Sequence, residues 1–267
     1  MAYKIKTYRT DNYIEYEVTH KGRYGAKGEK RSPKKRITPE IIRKQNQWKR
    51  EREIRRVIQL NFLPNDLWVT LKYPKGTRKT LSEVEKDIKK FQDRMRRDYK
   101  SRGEAFKWVK RIEIGEQGGI HAHFIINRIW GAELLIDKNW CGHSHYESIR
   151  EDEGMEQLAG YLTKPLPESV EQLSLFPQDE IKRCAKYSTS RNLLRPEPEV
   201  KIYTRKTVRK LLEDPPITPG FMIDKNSIKK GINPVTGYSY LYYREERIKV
   251  VKREVHPPDK YIMQRRN

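Results

Sequence analysis

Cysteine is scarce. The 267 residues hold only Cys141 and Cys184, too few for a disulfide framework and not spaced as a metal knuckle. That usage fits ordinary thiols in a reducing cytoplasm, the expected location. No run of 18 apolar residues occurs, and no apolar stretch follows the basic start Met1–Thr10, so neither a membrane span nor secretion is expected. A Walker A loop is missing too, as is any internal repeat, and nothing supports a motor domain. Acidic residues are outnumbered: 36 Asp and Glu stand against 58 Lys and Arg, a formal charge of +22. Such an excess calls for a polyanionic partner, with nucleic acid first. An anionic membrane surface would attract the same charge.

The length allows one substantial core with extensions. Residues 1–37 are basic and turn-rich, with an alternating stretch Tyr13–Val18 before Gly22, Gly25 and Gly28, as in an arm carrying one hairpin. Residues 38–196 form the central domain. Residues 197–267 are prolyl and basic, and Gly237 with Tyr238–Tyr243 suggests a small terminal hairpin.

Within the central domain, Thr38-Pro39-Glu40 opens a charged surface helix to about Leu60, whose basic face either follows phosphates or is solvated. Leu67–Tyr73 alternates as a strand, with Leu67, Val69, Leu71 and Tyr73 on one face and Trp68, Thr70 and Lys72 on the other. A capping box at Ser82 and Glu85 is expected to start a helix bearing Val84, Ile88, Phe91, Met95 and Tyr99 on one stripe. Phe106–Gly115 and Gly119–Asn127 alternate as two further strands. Trp140–Ile149 is a weaker strand candidate, and Met155–Lys164 reads as a helix stopped by Pro165. The order of elements implies an α+β fold on an antiparallel sheet with helices packed on it.

Residues two apart on a strand point the same way, so His121 and His123 offer paired imidazoles. A three-residue loop at 116–118 would pair Gly115 with Gly119 and set Glu113 opposite His121, on the same face. A slip of one residue would bury the histidines and expose the apolar set. Two imidazoles and a carboxylate suit Mg²⁺ or Mn²⁺, with Zn²⁺ chemically possible. His143 and His145 repeat the motif beside Gly142 without flanking apolar residues, which reads as a surface or edge-strand pair. In Gly160-Tyr161-Leu162-Thr163-Lys164, helical spacing puts Lys164 one turn from Tyr161.

The ordered set Trp68–Pro74, then Glu113 with His121-Ala122-His123-Phe124-Ile125-Ile126, then Tyr161-Leu162-Thr163-Lys164 resembles motifs I, II and III of HUH-superfamily rolling-circle replication initiation proteins. The resemblance covers roughly Thr38 to Pro196. It implies a replication initiator fold whose Glu113, His121 and His123 bind a divalent ion. Tyr161 would be the nucleophile, and Lys164 would orient phosphate, ion or tyrosine. Pro165 stands where a second tyrosine would follow, as in the single-tyrosine branch. The partners implied are single-stranded DNA at an origin and, since no helicase domain is present, host helicase and polymerase. Trp68 and Thr70 with Lys72, Lys107 and Arg111 are candidates for holding the strand. A transposase or conjugative relaxase would use the same chemistry. A DNA-binding regulator or a metal-dependent RNA nuclease would share the charge.

Overall fold

The computed structural model describes residues 2–22, 31–33, 37–115, 119–150, 154–165, 184, 186–204 and 208–248. In chain order the elements are β1 (Ala2–Arg9), β2 (Tyr13–Gly22), α1 (Pro39–Asn61), β3 (Leu67–Lys72), α2 (Leu81–Ser101), β4 (Trp108–Ile114), β5 (Ile120–Ile126), α3 (Ala132–Asn139), β6 (His143–Ser148), α4 (Gly154–Thr163), β7 (Ser188–Thr189), β8 (Glu199–Tyr203), α5 (Arg209–Glu213), β9 (Phe221–Ile232) and β10 (Ser239–Arg247). They fall into two compact units, one taking the chain up to Gln45 and again from Pro196, the other Asn46–Arg195. Each is an antiparallel five-stranded sheet with helix packed on it, so the class is α+β, compatible with the replication initiator fold. Among the described residues no helix is long and apolar enough to cross a membrane.

The terminal unit has strand order β8-β1-β2-β10-β9. Strands from the two ends of the chain share this sheet, because β10 pairs with β2 along Leu241↔Val18 to Glu246↔Tyr13. The terminal hairpin is longer than its sequence signal, running from Phe221 to Arg247. Tyr3, Val18, Leu241 and Tyr243 form its core with Val208, and the rings of Tyr16 and Tyr243 stack at 4.6 Å. Glu245 is fully buried there, which is tolerable because its carboxylate accepts the Thr218 amide at 3.1 Å and the Tyr16 hydroxyl at 3.4 Å.

The central unit has strand order β6-β3-β5-β4-β7. On one face Leu67, Val69, Leu71, Ile112, Ala122, Phe124 and Ile126 meet the stripe Val84, Ile88, Phe91, Met95 and Tyr99 of α2. Each fully buried side chain of this kind stabilises the fold by roughly 1.5–3 kcal/mol. Helix α2 starts slightly earlier than expected. Its N-cap is Thr80, whose side chain accepts the Glu83 amide while the Glu83 carboxylate accepts the Thr80 amide; Ser82 and Glu85 instead lie inside the helix. One cation interrupts the apolar face: Lys110, whose ammonium donates to Gln92 at 3.2 Å and whose pKa burial lowers to about 8. The expected strand Trp140–Ile149 shortens to β6, and the unforeseen α3 precedes it, burying Ala132, Leu135 and Ile136.

The opposite face is not purely chemical. Val109 and Ile125 lie on it and need cover, which Ile54, Val57, Ile58 and Phe62 supply from the end of α1 together with Ala159 and Leu162 of α4. Helix α1 is therefore a surface helix only in its first half. Its buried second half carries Arg52, Arg55 and Arg56, and Arg55 pairs with Glu156 of α4 at 3.3 Å.

Candidate metal centre and nucleophile

The β4–β5 register places Glu113 opposite His121 and Arg111 opposite His123, with Gly115 donating its amide to the Gly119 carbonyl at 2.8 Å. This is the pairing that the alternation predicts; the loop 116–118 lies outside the described residues. Glu113 Oε2 stands 3.7 Å from His121 Nε2 and 3.2 Å from His123 Nε2. Among the described residues these three form the one group able to hold a metal ion, with their ligand atoms within 4.8 Å of one another. Two neutral nitrogens and one anionic oxygen suit a divalent cation and leave further positions open.

Outer contacts fix the rings. His123 is buried, and its Nδ1 lies 3.1 Å from the hydroxyl of Thr70 on β3. A hydroxyl both donates and accepts, so Thr70 serves either tautomer. With Nδ1 protonated and donating to Thr70, the Nε2 lone pair faces Glu113. The indole of Trp68 stacks on the same imidazole at 5.2 Å and 9°.

Tyr161 reaches this cluster from α4, held down by Ala159 and Leu162 in the core. The helix ends at Thr163, whose hydroxyl donates to the Ala159 carbonyl at 2.9 Å and accepts Gln47 Nε2 at 3.2 Å. The Tyr161 hydroxyl donates to Glu113 Oε2 and lies 2.9 Å from His123 Nε2. Its ring meets Trp68 edge-on at 5.5 Å. From behind, the guanidinium of Arg111 donates to the Tyr161 carbonyl at 2.9 Å.

The charges follow from these contacts. Hydrogen bonds from His121 and His123 hold the Glu113 carboxyl far below its ordinary range, so it is ionised. Burial lowers the pKa of His123, keeping the imidazole neutral as a ligand must be. Burial, then the hydrogen bond to ionised Glu113, raises the Tyr161 phenol above its usual value, with the Arg111 charge working the other way.

The other residues singled out in the sequence separate into three groups. Trp68 and Lys72 share the face of the site, Trp68 against His123 and Lys72 exposed at the end of β3. Thr70 and Arg111 were expected to touch a nucleic-acid strand, but both are buried and spend their polar groups on His123 and Tyr161. Lys107 precedes β4, six residues from Glu113, or about 20 Å along a strand. Lys164 is exposed just beyond α4, its amide donating to the Tyr161 carbonyl at 3.2 Å. The support that Thr70 and Gln47 give was not visible in the sequence. For Thr70 the missing knowledge was that β3 lies beside β5, which sets Thr70 opposite His123.

Residues 66–166 match a family model of replication-associated proteins, the ORF2 type. The matched segment runs from the start of β3 to just past α4, and so contains every member of the cluster. No match is found among curated proteins or among solved structures.

Proposed function

From a segment matching the replication-associated proteins and a tyrosine seated on a His-His-Glu cluster, we propose that this chain nicks and rejoins single-stranded DNA at a replication origin. The observation that carries the reading is the Tyr161 hydroxyl within hydrogen-bond reach of both Glu113 and His123. A phenol with an ordinary pKa near 10 is a poor nucleophile toward a phosphodiester at neutral pH. A divalent ion held by Glu113, His121 and His123, Mg²⁺ or Mn²⁺, would supply Lewis acidity at a non-bridging phosphate oxygen.

The chain's own residues do the rest. Arg111 and the core contacts of Ala159 and Leu162 hold the backbone of Tyr161, so its hydroxyl needs little reorganisation to meet phosphorus. Tyr161 Oη forms the new bond to phosphorus while the bond to the 3′ oxygen breaks. The phenolic proton is transferred, in net, to that leaving oxygen. The products are a 5′ phosphotyrosine and a 3′ hydroxyl, and the stored ester allows rejoining without ATP. Lys164 and Lys72, both exposed on this side, neutralise flanking phosphates.

The test is a labelled single-stranded origin oligonucleotide incubated with the full chain and Mn²⁺, read on a denaturing gel. Wild type gives a covalent adduct, and Tyr161→Phe gives none while still binding the oligonucleotide. An adduct from the Tyr161→Phe protein at the wild-type rate eliminates the assignment. A relaxase or transposase would form the same adduct, so joining of origin ends against transposon ends separates those readings.

A further inference from the structure

Helix α2 turns its apolar stripe to the sheet, and the sheet's other face carries Glu113, His121 and His123. At 3.6 residues per turn, Lys86, Lys90 and Arg97 stand on the side of α2 directly away from Val84, Ile88 and Met95, with Lys89 and Lys100 beside them. All five are exposed. Two acids share this outer side, and both are occupied: Asp93 pairs with Arg96 at 2.7 Å, and Glu83 closes the capping box. Lys86, Lys89, Lys90 and Lys100 form no ion pair among the described residues.

A folded domain gains nothing internally from such a row, since like charges at these spacings repel. A regular polyanion relieves that repulsion. From Lys86 to Lys100 the row covers about 21 Å of helix axis, which matches roughly six phosphates of one strand of duplex DNA at 3.4 Å each. A straight, rigid row fits a straight, rigid partner. We infer that the outer side of α2 binds the backbone of double-stranded DNA, without reading its sequence, on the side of the domain opposite the Tyr161 cluster. One protein would then hold a duplex at its back while a single strand occupies its front. The inference rests on charge and placement and does not require that the chain cut DNA.

The experiment compares two full-length variants that each lose four exposed lysines or arginines, and so carry equal net charge. One is K86Q, K89Q, K90Q and R97Q on α2; the other is K201Q, K210Q, K225Q and K229Q in the terminal unit. Circular dichroism first establishes that both melt like wild type. Anisotropy of a labelled 20-base-pair duplex of arbitrary sequence, and separately of a labelled 20-nucleotide single strand, is then followed from 50 to 300 mM salt. The α2 variant should bind duplex at least tenfold more weakly, with a log K against log salt slope shallower by about 3, while single-strand affinity falls less than threefold. The terminal-unit variant should change duplex binding less than threefold. Equal losses in both variants, or equal losses for duplex and single strand, would mean bulk charge alone and would overturn the assignment. So would an unchanged duplex isotherm.

Discussion

Two His-x-His pairs project from the same face of the same sheet, yet their surroundings differ in nearly every respect. His145 lies opposite Thr70, and Thr70 lies opposite His123, so the three stand in one row across β6, β3 and β5. His123 is on a central strand, buried beneath Trp68 and Tyr161, with its carboxylate partner on the neighbouring strand β4. His145 is on the edge strand β6, and its partner Glu147 comes from its own strand at 3.1 Å, both side chains being 68% exposed. An exposed pair of that sort contributes little, because solvent screens it and both side chains must be ordered. The motif is thus inert by itself. What prepares the first pair is a carboxylate across the strands, an outer hydrogen bond and a cover.

The largest effect expected from this contrast is on metal affinity. His123→Ala should weaken Mn²⁺ binding to the full chain, measured calorimetrically, by at least about 100-fold, more than the loss of an outer-shell partner usually costs. His145→Ala should leave it within about twofold on the same scale. Comparable losses in the two proteins would erase the distinction drawn between the pairs.

An intermediate effect belongs to Thr70. Thr70→Val keeps the shape and removes the hydroxyl, and should lower Mn²⁺ affinity about 10- to 100-fold, with Thr70→Ser restoring most of it. If the valine protein bound the ion like wild type, stacking by Trp68 would be holding the imidazole unaided.

Smallest is the effect of crowding His121. A Cβ on Gly115 would stand 3.3 Å from His121 Cε1 and 3.3 Å from the Gly119 carbonyl, so the ring must yield by a few tenths of an ångström. Gly115→Ala should therefore weaken Mn²⁺ binding by only about threefold, less than removal of an outer-shell hydrogen bond. A loss as large as that of His123→Ala would show that the β4–β5 turn, and not Thr70, sets the geometry.

Much of this arrangement is legible in residue order, and the reason is the period of two along strands. Alternation in Trp108–Ile114 and Ile120–Ile126 is strong enough to set both the face and the register, and hence the meeting of Glu113, His121 and His123. Helix α2 is equally plain from its apolar spacing, although its start was misplaced because Ser82 and Glu85 mimic the box that Thr80 and Glu83 form. Helix α3 escaped notice: its eight residues are too few for a clear period, and it opens on Gly131 without a capping side chain.

Local sequence determined that a carboxylate and two imidazoles share a surface, since strand pairing through a short turn involves only neighbours in the chain. It also marked Tyr161 as a residue of interest, through the resemblance of its motif. Tertiary structure alone decided that Tyr161 bends over those ligands, that Thr70 and Arg111 serve the site from within, and that both chain ends build one sheet. Those contacts join residues tens to hundreds of positions apart, and only burial of the apolar faces on either side of each sheet selects them from the alternatives.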